Sequence, residues 1–238
     1  MGLFSRNKKV KDAGFLSGAT DYHSHILPGV DDGFRTLEDS LEALSIMESY
    51  GVSRLWLTPH IMEEFPNEPA RLRKIFEELR QAYTGKIQLN LAAENMLDPL
   101  FEERLRKGNL LPIGEKGDHL LVETSYFTPP HNFRGLLRQI KIKGLQPLLA
   151  HPERYIYMDK EDYDDLHAEG IKFQINYGSL GGFYGDAAKQ KAEWLLKKGY
   201  INVFGSDSHN LKYVNGITES EITSGAAKRM LEIAKNSI

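Results

Sequence analysis

The stretch that decides the fold is Asp21-Tyr-His-Ser-His-Ile-Leu-Pro-Gly-Val-Asp-Asp-Gly33. Its first half lies in a segment, residues 19–26, that is predicted as a strand, and successive side chains of a strand point to opposite faces. Asp21, His23 and His25 therefore share one face. Two imidazoles two residues apart can reach the same cation, and a carboxylate on that face can join them or orient a ring. The stretch predicts the first strand of the fold and the beginning of a metal site.

The composition excludes several classes of protein. The chain has 238 residues, of which 41% are hydrophobic and 26% are charged, which is enough for one sizeable domain or two small ones. A formal net charge of -3 gives no reason to expect a nucleic-acid partner. No apolar run is long enough to span a bilayer, and we recognise no signal peptide. The lack of cysteine excludes disulfides and cysteine nucleophiles. We expect a cytoplasmic protein.

The first 18 residues differ from the rest in their charge. They carry four cations, namely Arg6, Lys8, Lys9 and Lys11. We interpret residues 1–18 as a mobile, solvated basic tail and residues 19–238 as a single domain. Such a tail has a weak attraction for an acidic membrane surface, of roughly 1 kcal/mol per cation near that surface.

The remainder of the chain alternates between two kinds of segment. Seven apolar strands are predicted at residues 19–26, 52–58, 86–93, 120–122, 146–150, 171–175 and 200–204. Seven helices are predicted at residues 36–50, 68–83, 98–107, 131–143, 161–169, 186–198 and 219–235. Alternation of this kind is typical of an α/β protein whose parallel strands are joined by crossover helices. Seven units in one domain predict a closed or nearly closed barrel rather than an open sheet.

Polar residues recur at one place in each unit, the carboxyl end of the strand. They are His23, His25, His60, Glu94, Glu123, His151, Asn176, Asp207 and His209. In a parallel barrel these ends meet at one rim, where such folds carry their chemistry. Any one of these residues also fits a packed strand end or a loop cap, but the whole set in register favours a site. Three further histidines, His119, His131 and His167, are interpreted as surface or capping residues.

The residue types at this rim predict the kind of metal. Imidazoles and carboxylates without thiolates suit manganese, iron or zinc in an open site and are a poor match for a structural zinc centre. The donors exceed what one ion can use, so we predict two or three divalent metal ions with Glu94 as a candidate bridge. Arg154, just after His151, is predicted to hold an anion, because a guanidinium matches phosphate oxygens two at a time. The Gly-rich segment 177–185 is either a lid or a flexible loop.

Four motifs carry a resemblance to a known family. They are Asp21 to Gly33, Thr58-Pro-His60, His151-Pro-Glu-Arg154 and Ser206-Asp-Ser-His209. In register from about Asp21 to Asn210, they resemble the PHP superfamily of metal phosphoesterases. Within it, they look most like the bacterial tyrosine-protein phosphatases of capsule and exopolysaccharide gene clusters.

The resemblance implies a distorted seven-stranded (β/α)7 barrel, similar to a TIM barrel, that carries three metals, usually manganese. It also implies a distribution of ligands among those metals. The implied sets are His23, His25, Glu94 and Asp207 for one metal, Asp31, His60 and His151 for another, and Glu94, Glu123 and His209 for the third. Asp31 is chosen over Asp32 for its spacing from His25, and both stay open. The chain departs from the family pattern where Lys212 and Tyr213 stand in place of a second phosphate-binding arginine, and in the basic extension before Asp21.

The implied function is hydrolysis of phosphotyrosine on a protein, such as the tail of a bacterial tyrosine kinase, by attack of a metal-bridging hydroxide. The predicted catalytic residues are Arg154, Asp207 and His209. The aromatic residues expected to stack on the substrate ring are Phe127, Tyr155, Phe183 and Tyr184. Two rival interpretations are a small-molecule phosphatase of the histidinol-phosphate kind and a non-catalytic partner of a kinase. The sequence leaves the oligomeric state and the identity of the metal open.

Overall fold

A computed structural model describes residues 7–235 and Ile238. Within these residues the strands are β1 (Asn7–Lys9), β2 (Thr20–Asp21), β3 (Arg54–Leu57), β4 (His60–Ile61), β5 (Gln88–Leu91), β6 (Glu94–Met96), β7 (His119–Glu123), β8 (Gln146–Ala150), β9 (Lys172–Asn176), β10 (Ile201–Gly205) and β11 (Glu221–Thr223). The helices are α1 (Leu37–Ser49), α2 (Pro69–Ala82), α3 (Pro99–Lys107), α4 (Phe133–Ile142), α5 (Lys160–Ala168), α6 (Tyr177–Leu180), α7 (Asp186–Lys198), α8 (Leu211–Glu219) and α9 (Ser224–Ile233). None of the described helices is long and apolar enough to cross a membrane.

Nine of the strands form two parallel sheets that hydrogen bonds connect, and β1 and β11 form a separate antiparallel pair. One sheet has the order β10-β9-β8-β7-β6-β4, and the other has the order β2-β3-β5. The segment that follows β2 runs beside the end of β10, where the Tyr22 amide donates to the Phe204 carbonyl at 3.0 Å and the Asp207 amide donates to the His23 carbonyl at 2.8 Å. The prediction of an α/β fold with parallel strands is therefore confirmed.

The predicted seven strands differ from the structure in detail, because the first is shorter than predicted and two additional short strands, β4 and β6, follow β3 and β5. The segment predicted at residues 19–26 is a strand only at β2, since the Asp21 carboxylate accepts the His23 amide at 3.1 Å and the Ser206 amide at 2.9 Å in place of a continued ladder. β3 and β4 are separated by Thr58 and Pro59, and proline has no amide hydrogen to donate. β5 and β6 are likewise separate strands.

The core lies on both faces of the sheets. In the central strands β7 and β8, Leu120, Leu121, Leu148 and Leu149 are fully buried, as expected for parallel strands that are covered on both faces. The covering helices begin and end where the sequence indicates. At α1, for example, the Thr36 hydroxyl accepts the Asp39 amide at 3.1 Å. The rigid sheets therefore present the carboxyl ends of their strands as one surface.

The last predicted helix, residues 219–235, is present as α9 but is wrong in its first five residues. The structure has β11 between α8 and α9, and the buried Ile222 of β11 pairs with Lys8 of β1. α9 then begins at its own cap, because the Thr223 hydroxyl accepts the Ala226 amide at 3.1 Å. The strand exists because it has a partner strand that the sequence analysis treated as a solvated tail.

The interpretation of residues 1–18 as a solvated tail is accordingly wrong for residues 7–18. Val10 is 0% exposed, Phe15 and Leu16 are also buried, and all three belong to the main core. Lys9 forms an ion pair with Glu219 at 2.6 Å, and Lys11 pairs with the same carboxylate. Residues 1–6, which include Arg6, lie outside the described residues. The domain thus begins at least twelve residues earlier than predicted, at Asn7 instead of residue 19.

The burial of Val10 leads to a stability prediction. Val10→Ala should lower the free energy of unfolding by about 2 kcal/mol, because it removes two buried methyl groups from the core. Lys8→Ala, a change at an exposed position of the neighbouring strand, is the control and should cost less than about 0.5 kcal/mol. Urea unfolding measures both values. Equal stability of Val10→Ala and the parent protein would mean that this segment is not docked in solution.

Candidate metal centre

The strand ends bring the predicted polar residues together in one buried cluster. Nine side chains form four overlapping groups in which the nitrogen and oxygen atoms lie within 4.8 Å of one another. The groups are His25, Asp32, His60 and His209; His23, His25 and Asp207; His23, Glu94 and His151; and His60, Glu94 and Glu123. Eight of the nine predicted ligands belong to these groups, and Asp32 takes part in place of Asp31.

Glu94, the first residue of β6, lies at the centre of the cluster and is 0% exposed. Its Oε1 atom is 2.9 Å from His151 Nε2. Its Oε2 atom lies 3.1 Å from His23 Nε2, 3.2 Å from His25 Nε2 and 3.1 Å from His60 Nδ1. Burial alone would raise the pKa of Glu94, but attraction to the surrounding imidazoles, above all His23 and His60, holds that pKa well below its usual range. Glu94 is therefore an ionised carboxylate with contacts in several directions.

The ring orientations of His23 and His25 require a positive charge between them. Each ring donates its Nδ1 hydrogen to a carbonyl or carboxylate oxygen, His23 to Gln174 at 2.8 Å and His25 to Asp31 at 2.9 Å. Both Nε2 atoms then present lone pairs to each other at 3.0 Å. Two lone pairs at this distance repel unless a proton or a metal ion lies beside them.

Unpaired buried atoms also fit a metal ion. His60 Nδ1 lies 3.1 Å from Glu94 Oε2 and 3.0 Å from Glu123 Oε1, yet none of the three makes a well-oriented hydrogen bond in the described part of the chain. Burying such atoms without a partner costs about 1–3 kcal/mol each. Nitrogen and carboxylate oxygen donors that face one point suit a divalent ion such as manganese, iron or zinc. The donor set therefore fits bound metal.

Two side chains of β9 form hydrogen bonds with the candidate ligands. Gln174 and Asn176 are two residues apart and lie on the same face of the strand. Gln174 accepts from His23 and donates to Asn176 at 2.9 Å, and Asn176 donates to Asp207 Oδ2 at 2.8 Å. The sequence analysis missed Gln174, because it lies in the middle of a strand and outside every motif. Its position two residues before the strand-end residue Asn176 was the available signal.

A glycine makes this close arrangement sterically accessible. A Cβ atom on Gly205, the last residue of β10, would lie 2.4 Å from the Cβ of His23. Two of the ligands also have unusual backbones, with φ at 32° for His151 and 54° for Asp207. Positive φ is uncommon for residues other than glycine and is found disproportionately at functional sites. The close packing and strained backbone are concentrated at the cluster.

The contacts of Asp31 favour its open alternative, Asp32, as the candidate ligand. Its Oδ2 atom accepts from His25 and from the His60 amide at 2.9 Å, and its Oδ1 atom accepts from the Gly33 amide at 3.0 Å. Burial would raise the pKa of Asp31, but His25 and His60 together lower it to about 2. Asp31 is thus an ionised support for the His25 ring. Asp32 Oδ1 instead lies 3.5 Å from His60 Nε2 and 3.6 Å from His209 Nε2.

The groups that the structure brings together also differ from the implied distribution of ligands. The set of His23, His25 and Asp207 is brought together as expected. His60 and His151, however, do not share a group with Asp31. His151 faces Glu94, while His60 faces Glu94 and Glu123 through Nδ1 and Asp32 through Nε2. His209 lies with Asp32, His25 and His60 rather than with Glu123.

A cavity of about 430 Å³ opens onto one side of the cluster. Its polar lining residues include Asp32, His60, Glu123, Arg154 and His209, and its apolar and aromatic lining residues are Met62, Phe65, Met96, Tyr126 and Tyr213. The Arg154 Nη1 atom donates to Asp207 Oδ2 at 2.7 Å, so this arginine connects the cavity to the cluster. Lys212, at a position where a second arginine was expected, is not among the lining residues.

The predicted stacking residues do not line this cavity. Tyr155 is 0% exposed, and its hydroxyl accepts the Thr124 amide at 3.1 Å. Phe183 packs against Tyr213 at 5.2 Å, and Phe127 is 70% exposed outside the lining. The sequence placed all four aromatic residues on rim loops, but only the side-chain directions decide which of them face the cavity. In the Gly-rich segment 177–185, Tyr177 to Leu180 form the buried helix α6, so this part is not a flexible loop.

The parallel α/β fold and the buried cluster of imidazoles and carboxylates at its strand ends define the class of metal-dependent hydrolases. Residues 19–216 match the family model of capsular polysaccharide synthesis, CpsB/CapC. The chain belongs to this family, which confirms the family predicted from the four motifs.

Individual relatives agree with this membership. The chain is 30% identical over 208 residues to tyrosine-protein phosphatase YwqE of Bacillus subtilis, covering 85% of this chain and 82% of the relative. It is 28% identical over 210 residues to tyrosine-protein phosphatase CpsB of Streptococcus agalactiae, covering 80% of this chain and 83% of the relative.

Solved structures support the same fold. A chain from the crystal structures of YwqE from Bacillus subtilis and CpsB from Streptococcus pneumoniae, described as unique metal-dependent tyrosine phosphatases, superposes with a TM-score of 0.77 at 28% identity. That match covers 90% of this chain and 86% of the other. Histidinol phosphate phosphatase from Lactococcus lactis superposes with a TM-score of 0.54 at 13% identity and shares the fold.

The different contacts of Asp31 and Asp32 lead to a metal-binding prediction. Asp32→Asn should lower the content of divalent metal by about one equivalent, because it weakens the donor set around His60 and His209. Glu64→Gln, which changes an exposed carboxylate at the same cavity, is the matched control and should leave metal content unchanged. Elemental analysis of the purified variants measures this. Full metal content in Asp32→Asn would exclude Asp32 as a ligand.

Proposed function

We propose that this protein is a metal-dependent protein-tyrosine phosphatase that acts on a phosphorylated protein tail, such as that of a bacterial tyrosine kinase. The observation that carries the proposal is the juxtaposition of the buried donor cluster with Arg154 at the wall of an open cavity. A phosphate monoester needs cationic groups for its oxygens and a route for an attacking water, and this site offers both. Two relatives named tyrosine-protein phosphatases support the choice of substrate.

In this proposal the cluster holds two to three divalent ions, with manganese preferred and iron or zinc as alternatives. The residues that hold them are the nine of the four groups, His23, His25, Asp32, His60, Glu94, Glu123, His151, Asp207 and His209. When bound, such ions lower the pKa of a coordinated water toward neutrality and offset the charge of phosphate oxygens. Glu94 is the shared ligand, since both of its oxygens face imidazoles.

The charged state of the neighbouring side chains suits this role. Burial would raise the pKa of Asp207, but His23 and the other nearby cations hold it well below its usual range, so the carboxylate stays ionised. Burial, and then the nearness of His25, lower the pKa of His209 to about 4. At neutral pH His209 is therefore an uncharged imidazole with a lone pair to offer. Arg154, held by Asp207, presents its other N–H groups to phosphate oxygens in the cavity.

The cavity favours an aryl ester over an alkyl ester. Its lining includes three aromatic residues, Phe65, Tyr126 and Tyr213, against which a phenyl ring can pack. The turn that carries Phe65 is pinned, because the Phe65 carbonyl accepts the Met62 amide at 3.1 Å and the Asn67 amide at 2.7 Å. Tyrosinate also leaves easily, because the pKa of a phenol is about 10, whereas an alkoxide needs a general acid.

Several further features belong to the same proposal. The seven parallel segments and the hydrogen bonds between Tyr22 and Phe204 support a distorted (β/α)7 barrel of the PHP type. The cytoplasmic location stays a prediction, as does a weak contact of the basic N-terminus with an acidic membrane surface. Lys9 and Lys11 are less available for that contact than predicted, because both pair with Glu219.

The two rival functions differ in what they require of the site. A histidinol-phosphate phosphatase could use the same metals but needs a recognition site for a small cationic amine. A non-catalytic kinase partner needs no metal at all, so the retention of nine convergent ligands argues against it.

A comparison of three phosphate esters tests the proposed function. With Mn²⁺ supplied, kcat/KM should be at least about tenfold higher for a phosphotyrosine peptide than for its phosphoserine twin, because only the former offers a phenolate leaving group. Histidinol phosphate is the third substrate. A tenfold preference for histidinol phosphate would establish the small-molecule alternative. If the protein bound stoichiometric metal but hydrolysed none of the three esters, the function as a non-catalytic kinase partner would be favoured instead.

A further inference from the structure

The guanidinium of Arg154 lies between two tyrosine rings. Its Cζ atom is 4.4 Å from the centroid of Tyr126 and 4.4 Å from the centroid of Tyr184. Both distances are well within the range of a cation–π contact, and a desolvated arginine gains more from such a contact than an exposed one. The two rings therefore cover the guanidinium, while Asp207 binds its Nη1 atom.

The three residues come from three successive strand-end loops. Tyr126 follows β7, Arg154 ends the turn after β8, and Tyr184 lies between α6 and α7 after β9. The loops are tied to their surroundings, because the Tyr126 carbonyl accepts the Ile156 amide at 2.9 Å and the Tyr184 hydroxyl donates to the Ser206 carbonyl at 3.4 Å. The arrangement of Arg154 between Tyr126 and Tyr184, called the stack below, is thus held in place by hydrogen bonds of the loops that carry it.

Two glycines allow the loop after β9, which carries Tyr184, to reach Arg154. Tyr184 lies between Gly182 and Gly185, whose φ values are 80° and 91°. These values favour glycine, so the backbone can turn sharply on both sides of the tyrosine. The Gly-rich segment noted in the sequence therefore places an aromatic ring on Arg154.

The contacts leave one part of the arginine free. Nε and Nη2 have no hydrogen-bond acceptor among the residues that the structure describes, and Arg154 lines the cavity. We propose that Tyr126 and Tyr184 are positioning residues that hold the free edge of Arg154 toward the phosphate group of the substrate. This inference rests on the proposed use of the cavity for a phosphate ester.

The physical advantage is preorganisation. An arginine side chain has many rotamers, and a free one must lose that freedom when it binds an anion. The rings restrict the guanidinium before substrate arrives, so its hydrogen bonds cost less to form. Burial, and then the charge of Asp207, raise the pKa of both phenols, so neither ring ionises and competes with phosphate for the arginine.

Tyr184 is the better probe of the two, because Tyr126 also lines the cavity and could touch substrate itself. Tyr184→Leu keeps much of the volume and removes the aromatic face, whereas Tyr184→Phe keeps the ring and removes only the hydroxyl. We expect Tyr184→Leu to weaken the binding of inorganic phosphate to the metal-loaded protein roughly 3- to 30-fold, the range that a cation–π contact is worth. Tyr184→Phe should restore most of this loss. Calorimetry measures phosphate binding directly.

The decisive comparison is made in two backgrounds. When Arg154 is already replaced by alanine, Tyr184→Leu should weaken phosphate binding no further, because its effect acts through the arginine. Tyr200→Leu is the matched control, since Tyr200 contacts Lys198 at 5.5 Å in a cation–π pair away from the cavity. It should leave phosphate affinity unchanged. Metal content and Tm are recorded for every variant, and Tyr126→Leu replaces Tyr184→Leu if the latter fails to fold.

The outcomes separate this inference from the proposed function. The inference would be overturned if Tyr184→Leu lowered phosphate affinity equally with and without Arg154, or lowered it in neither case. It would also be overturned if the parent protein bound no phosphate. A parent protein that binds phosphate but does not hydrolyse phosphotyrosine would contradict the proposed function alone, and the same variants would still test the stack.

Discussion

The burial of one carboxylate among imidazoles is the constraint on which the rest of the structure depends. Glu94 is fully buried, and a buried charge without partners is very costly. Its neighbours His23, His60 and His151 come from separate strand ends, so the carboxylate is satisfied only when the parallel sheets are assembled. The fold brings the donors together, and the donor set fits a cation at the centre.

The surroundings of the cluster follow from that requirement. Gln174 and Asn176 form a chain of hydrogen bonds from His23 to Asp207, which orients a ring and a carboxylate without occupying their free donor atoms. Asp207 continues the chain to Arg154. A single network of hydrogen bonds therefore connects His23 and Asp207 to Arg154, which lines the cavity. Removing one partner of a buried network of this type costs more than the bond itself, because the other partner remains buried and unpaired.

Much of this site was predictable from the sequence, because a residue at the end of a parallel strand has a defined place. That reasoning placed His60, Glu94 and His151 at one rim, where the structure brings them together. It could not choose between Asp31 and Asp32, since both follow the same turn and only the hydrogen bond between His25 and Asp31 distinguishes them. It missed the docking of Val10 for a related reason: nearby lysines suggested solvent, but the pairing of β1 with β11 joins residues over 200 positions apart. Local patterns carry no information about such distant partners.

The most direct test of the central claim is anomalous diffraction from crystals grown with Mn²⁺. The account requires anomalous peaks inside the cluster, with at least one in contact with Glu94 and a neighbouring peak bounded by Asp32 and His209. Ordinary coordination distances of about 2.0–2.2 Å to nitrogen and oxygen would support it. Crystals that show manganese only on the surface, with Glu94 hydrogen-bonded to protonated histidines, would contradict the claim that this cluster exists to hold metal.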